Sequence, residues 1–297
     1  MEYEFTTAAD IKKLCSKHKI KISELAKRYE SERAGVSHVV VRNRMKKTRD
    51  VIWEAIENGI GNKKKSDLKM SGGDAAKMYA QLTNMRDMMS NRVCVRAMAY
   101  ALAIGEQNAL MGRIAAFPTA GGAGVVPGVL FSSSQHFHAG KRRLLRAMFC
   151  ASAVGIVIAS GATISAAKGG CQAEVGAAAA MAAAGLIEMQ NGTVEQCFDA
   201  AAITLKSYLG LVCDPLGGLV EVPCIKRNSI AAMAAIGAGD MVMAGIKSFV
   251  PFDEVVRAMK NIAETMSPKL RETALGGLAA TPTGNKIKKK LGLPIIK

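Results

Sequence analysis

Apolar residues recur at three- and four-residue intervals through the first sixty positions. Ile11, Leu14 and Cys15 form one set, and Ile22, Leu25, Ala26 and Tyr29 form the next. That spacing lines one face of a 3.6-residue helix, so 8–60 is predicted to be helical. The pattern repeats over 51–60 and meets Gly59 and Gly61, residues that end helices. Residues 62–69 are polar and basic, a loop. Ser71-Gly72-Gly73-Asp74 opens another helix, with small residues for the turn and Asp74 as a cap. Spaced Met, Leu and Val then predict one long helix over 75–111. A glycine-rich loop follows at 117–124, with an apolar stretch at 125–130 behind it. Residues 131–143 read as a polar, basic excursion, and 147–160 as a buried apolar segment. No sustained period-two alternation, βαβ rhythm or internal repeat is present. The predicted fold is mostly α, with an N-terminal helical segment over 1–70 and a compact all-helical unit over 71–297.

Composition narrows this further. The 297 residues suffice for a sizeable core, and 49% hydrophobic against 22% charged describes a globular chain. Aromatics are only 5%, so close packing must come from small side chains. No uninterrupted apolar run reaches the roughly 20 residues of a membrane span, and no membrane association is expected. The net charge of +16 is unevenly placed: 1–70 carries 17 basic and 10 acidic residues, 71–150 carries 9 and 3, 151–240 carries 4 and 7, and 241–297 carries 10 and 4. Basic chains bind nucleic acid or acidic partners. Scarce stacking aromatics and the lack of a zinc-finger or RRM motif argue against nucleic acid. A solvated basic surface or a docking face remains, with the lysines at 286, 288, 289 and 290 as a second basic cluster.

Seven cysteines, an odd number, and an acidic, polar N-terminus argue against a disulfide framework. A reducing, cytoplasmic location is expected. Cys15, Cys94, Cys150 and Cys197 fall in helical apolar patterns, where a thiol acts as a small hydrophobe. The other three sit beside Gly or Pro. Cys171 follows Gly169-Gly170 and precedes an alanine-rich helix, so its thiol lies near a helix N-terminus that favours thiolate. Cys213 opens the turn sequence Cys-Asp-Pro-Leu-Gly-Gly, and Cys224 closes Val-Glu-Val-Pro-Cys. Their spacing is neither that of a zinc ribbon nor that of a ferredoxin. It leaves open both a three-thiolate site and three unrelated turn cysteines.

At these residues the chain resembles a known family. KGGCQAEVGAAAAMAAAGL, LVCDPLGGLVEVPCIKRN and RETALGGLAATPTG are similar to the α chain of the two-subunit bacterial iron–sulfur L-serine dehydratases, and FPTAGGAGVVPGVLF and SGGDA extend the match. The resemblance implies an all-helical catalytic unit carrying a [4Fe-4S] cluster, with Cys171, Cys213 and Cys224 as its ligands. It implies L-serine as substrate and a separate β chain that brings a Ser-Ser-His-Thr segment, which this sequence lacks. No cysteine follows Cys224, unlike single-chain relatives with a cysteine-bearing tail. Lys168 before the Gly-Gly-Cys, and Leu216-Gly217 in the Cys-Asp-Pro loop, depart from the family pattern.

The chemistry needs an α-proton removed and a β-hydroxyl expelled. An iron with no protein ligand can bind the hydroxyl as a Lewis acid. Backbone N–H groups at Ser71, Gly72 and Gly73, and at Thr119 and Gly121, are candidates to hold the substrate carboxylate. No Gly-Lys-Ser/Thr follows the 121–124 glycines, so they form no P-loop. Lys168, Glu174 and Lys226 flank the cysteines and are the candidate bases, although each also fits an ordinary helix-end charge or ion pair. His136 and His138 lie in the basic excursion and read as surface residues. Three alternatives stand beside this reading. They are a related β-elimination such as L-cysteine desulfidation, a pyridoxal phosphate enzyme using Lys168, and a non-enzymatic basic iron–sulfur or nucleic-acid-binding protein.

Overall fold

Polar side chains fix where the helices start. Thr7 accepts the N–H of Asp10, and the Asp10 carboxylate accepts the N–H of Thr7, a reciprocal cap that begins α1 (Ala8–His18). α2 (Ile22–Ala34) follows, and the Ser37 hydroxyl begins α3 (His38–Gly61). The computed structural model describes residues 1–295.

The helix expected over 75–111 is two helices, α4 (Asp74–Ala80) and α5 (Arg92–Ala109). Two asparagines account for the break. The Asn84 side chain accepts the N–H of Arg86, and that of Asn91 caps α5 through the N–H of Cys94. Short polar side chains that satisfy nearby N–H groups compete with helix continuation. The excursion expected at 131–143 is also corrected. α6 (Val125–His136) carries Ser132, Ser133 and Ser134 into the interior, where the first donates to the carbonyl of Val93 and the last to that of Ala139. Hydroxyls with partners can be buried at low cost. His136 and His138 are exposed beyond the end of that burial.

The chain continues through α7 (Lys141–Gly161), α8 (Ala166–Gly169), a π-helical turn at Gln172–Gly176 and α9 (Ala177–Met189). α10 (Val194–Lys206), α11 (Cys224–Met243), α12 (Phe252–Thr265) and α13 (Pro282–Lys290) complete it. Among the described residues the only strand-like pairing is an isolated bridge between Cys213 and Arg271.

α9 is the axis of the fold. All thirteen of its residues are buried, and seven are alanine. Small side chains let α6, α7, α10 and α11 close around it. Gly185 shows how tightly: a Cβ there would stand 2.8 Å from the carbonyl oxygen of Ala147. The low aromatic content is therefore a packing solution, in which many close helix contacts replace a few large side chains. One buried cluster runs from Phe5 to Met259, so the helices of 1–70 share this core with those that follow. α7 is long and apolar enough to cross a membrane, but 67% of its apolar window is buried inside the molecule.

Candidate active site

The turn after α8 gathers the three motif cysteines. Cys171 leads into the π-helical turn, whose first residue, Gln172, ties down the loop before Cys213. The Gln172 N–H donates to the carbonyl of Leu211 (3.0 Å), its side-chain carbonyl accepts the N–H of Gly210 (2.9 Å), and its amide donates to the carbonyl of Met259 (3.2 Å). Cys213 is held from the other side: its N–H donates to Leu270, and its carbonyl accepts the N–H of Glu272. Cys224 opens α11 behind Pro223. All three thiols are buried.

They meet in one place. The Cys171 and Cys213 side chains pair, and the Cys171 charge reaches Cys224. That pairing, against the cost of burial and with help from Arg227, lowers the pKa of Cys171. Cys213 is raised by the same pairing and by burial. Burial, and then the Cys171 charge, pushes Cys224 up to about 12.

Arg227 ties the site to the C-terminal motif. Its Nη1 lies 3.7 Å from the Cys171 sulfur, donates to the carbonyl of Val212 (3.0 Å) and stands 2.9 Å from Asp214 Oδ1. That last contact is an ion pair outside good hydrogen-bond geometry, since Oδ1 has no hydrogen-bond partner. The other Asp214 oxygen accepts the N–H of Leu278 (2.8 Å). Gly277 makes this possible: its φ is +58°, and a Cβ would lie 2.4 Å from Asp214 Oδ2. The Cys-Asp-Pro loop, the 276–278 glycine turn and α11 are thus locked together around one guanidinium.

Glu174 projects from the π-helical turn toward the glycine-rich loop. Its carboxylate lies so close to Gly121 that a Cβ there would be 2.3 Å from Oε2. Burial raises its pKa, the Thr119 hydroxyl opposes that rise, and the Glu272 charge adds to it. A carboxylate whose pKa is raised is a stronger base than an ordinary one. Asn228 sets the loop in place. Its amide donates to the carbonyls of Gly121 (2.7 Å) and Cys224 (2.9 Å), and its oxygen accepts the N–H of Gly124 (3.0 Å). A narrow void of about 10 Å³, room for about one water, lies here, lined by Ala120, Gly121, Val220, Cys224 and Asn228.

The remaining candidate residues lie elsewhere or have other partners. Ser71 is buried and its hydroxyl donates to Glu221 (2.6 Å). The N–H of Gly73 donates to the Glu106 carboxylate (3.0 Å), as does that of Asp74 (2.7 Å). Gly72 packs against the carbonyl of Lys64. An internal carboxylate thus takes two of the donors at this loop. Lys168 is exposed at the end of α8. Lys226 is largely exposed and pairs with Asp74 at 3.7 Å. Thr119, Gly121, Glu174, Cys171, Cys213 and Cys224 form the connected set.

Arg227 and Asn228 were not singled out from the sequence. A signal for them existed, because they lie three and four residues after Cys224 and so share its helix face. A second group was also missed. Cys150, Cys197 and Glu188, all buried, offer ligand atoms within 4.8 Å of one another and could hold a metal ion. Helical periodicity places Cys150 and Cys197 inside, but it does not report that they converge from different helices.

Comparison with known proteins bears on the whole of this arrangement. The family described as "Serine dehydratase alpha chain" matches residues 17–279. The chain is 44% identical over 287 residues to a "Probable L-serine dehydratase, alpha chain" of Bacillus subtilis, covering 97% of this chain and 95% of that protein. It is 38% identical over 283 residues to an "L-serine dehydratase, alpha chain" of Peptoniphilus asaccharolyticus, covering 95% and 97%. It is 35% identical over 292 residues to an "L-serine dehydratase" of Streptomyces coelicolor, covering 94% of this chain but 61% of that protein.

Proposed function

The chain belongs to the serine dehydratase alpha chain family, and from that premise we propose that it is the α chain of a two-chain, iron–sulfur-dependent L-serine dehydratase. The reaction is a lyase reaction: L-serine loses water to give aminoacrylate, which tautomerises and hydrolyses to pyruvate and ammonia. The observation that carries this reading is the convergence of three buried cysteines beside Glu174 and the 119–124 loop.

The donor set fits the cofactor. Three thiols on three separate loops are soft ligands, unsuited to calcium or magnesium and suited to iron–sulfur ligation. Arg227 offsets negative charge at the Cys171 sulfur, and it is fixed there by Asp214. Cys171, Cys213 and Cys224 would hold a [4Fe-4S] cluster through three irons. When bound, the cluster supplies a Lewis-acidic iron that makes hydroxide a better leaving group.

The chain's own residues do the rest. Glu174, in its ionised form, takes the α-proton. Its upward-tuned pKa keeps the basicity needed for that step, and Thr119 orients the carboxylate. Backbone N–H groups of Ala120 and Gly121, which line the void, hold the substrate carboxylate. Asn228 keeps this loop and the first turn of α11 in register. The burial of all three cysteines shields the site from bulk water.

A separate β chain completes the enzyme. The Bacillus subtilis and Peptoniphilus asaccharolyticus relatives, which this chain covers to 95% and 97% of their length, are both named alpha chains, and that naming supports a second chain. The test is anaerobic reconstitution with iron and sulfide, then pyruvate formation from L-serine with and without the β chain. The expected result is about four irons per chain and turnover only with the partner. Full serine turnover by iron-free protein would overturn the cofactor assignment. Full turnover by the loaded α chain alone would overturn the partner.

A further inference from the structure

The catalytic reading leaves the basic excess of residues 1–150 unused. The structure concentrates part of it in one cleft where α2 and α3 meet α7. Lys21, Lys27, Arg42, Arg142 and Arg146 line it, with Glu24 as the one acidic residue on its wall. Its volume is about 650 Å³, within the usual range of small-molecule pockets, about 300–1,000 Å³. Glu24 is already committed to Lys27 and Arg28. Lys21 donates to the carbonyl of Asn191 (3.2 Å), and Arg146 lies 3.4 Å from the buried Glu188, which also accepts from Ser23. Arg42 and Arg142 have no hydrogen-bond or ion-pair partner among the described residues. Two guanidiniums without side-chain partners thus line a cleft whose only wall carboxylate is neutralised.

The cleft does not end in solvent on every side. Phe149 lines it and also lines an adjoining cleft in which Ala26, Val41, Met45 and Ile156 supply apolar surface and Glu30, Arg44, Thr48 and Ser152 the rest. A strongly basic compartment and a mixed one with an apolar side therefore share one aromatic residue. The cleft also lies at the Glu188 end of α9, while Cys171 precedes the other end, about 20 Å away by helix rise. It is separate from the cysteine site.

We propose that this cleft binds a small organic phosphate with an apolar body, such as a nucleoside polyphosphate. Guanidinium forks match phosphate oxygens in charge and geometry, and the apolar side of the compartment beside Phe149 takes the body. The proposal does not depend on the serine dehydratase reading, because none of these residues belongs to the cysteine site.

Calorimetry on the whole α chain, with ATP, pyrophosphate and adenosine as separate probes, tests it. ATP is expected to bind more tightly than either part alone. The double variant Arg42→Glu/Arg142→Glu is expected to weaken ATP at least tenfold while leaving the circular dichroism spectrum and melting temperature unchanged, since both side chains are exposed. Equal affinity for pyrophosphate and ATP would overturn the role of that apolar side. Unchanged ATP affinity in the double variant would overturn the site. Single-stranded DNA binding as tight as ATP would replace it with a general polyanion surface.

Discussion

Replacing Gly121 with alanine separates proton transfer from folding. The new Cβ would stand 2.3 Å from Glu174 Oε2 and 3.0 Å from its Cδ. Contacts below 3.0 Å force movement, and here the atom that moves is the tip of a flexible side chain. The carboxylate must swing away by on the order of 1 Å, a displacement that costs about 100-fold when it misaligns a reacting group. The expected result is a kcat for pyruvate formation reduced about 100-fold, at unchanged iron content and nearly unchanged melting temperature. Gly124→Ala is the counterpart. Its Cβ would meet the Ala101 carbonyl oxygen at 2.5 Å, a backbone atom of α5 that cannot swing aside. That variant should lose about 1–3 kcal/mol of stability, as overpacked cores do. Both are assayed as reconstituted α chain with the β chain. A Gly121→Ala enzyme with wild-type kcat would refute the role of Glu174. So would a Gly121→Ala chain that loses as much stability as Gly124→Ala, because the carboxylate would then be structural.

Three further outcomes are expected. Cys171→Ala, Cys213→Ala and Cys224→Ala should each lose iron and activity together, whereas Cys94→Ala, with its half-buried thiol in the first turn of α5, should keep both; iron analysis and the pyruvate assay read this. Because burial raises the Glu174 pKa, the base form appears only above the ordinary carboxylate range, so the acid limb of kcat should lie above pH 4.5 and vanish, with the activity, in Glu174→Gln; a pH–rate profile checks it. Asp10 has its pKa lowered by the Thr7 hydroxyl, against partial burial and with the Thr6 and Thr7 N–H groups, so its contribution to stability is present above the unfolded value of 3.8 and is lost as pH falls through the lower folded value. Asp10→Asn should therefore lower the melting temperature near neutral pH, and the difference should close in acid.

Helix content and the cysteine loops were legible because local chemistry decides them. Gly-Gly before Cys171 and Pro before Cys224 leave the chain few other local choices. The break between α4 and α5 was hidden because 81–91 contains neither glycine nor proline, and the asparagines act through side-chain hydrogen bonds that periodicity ignores. The buried serines of α6 misled for the converse reason. A hydroxyl scores as polar, yet Ser132 and Ser134 find carbonyl partners.

The site itself divides along the same line. Sequence spacing assigns a residue to a face, and that suffices for Cys224, Arg227 and Asn228 on one turn of α11. It does not reveal the π-helical turn at Gln172–Gly176, because no residue type demands one. A π turn takes one more residue than an α turn, which shifts the register of every side chain after it and is recurrent at functional sites. Here it carries the span between Cys171 and α9, and Glu174 leaves from its middle toward Gly121. The Ser71-Gly72-Gly73 loop shows the opposite error. Its N–H groups do bind a carboxylate, as glycine-rich helix starts do, but Glu106 of the chain's own α5 is the one they hold. Local sequence predicts the chemistry of a binding loop. Only the packing of α4 on α5 decides whether substrate or protein supplies the anion.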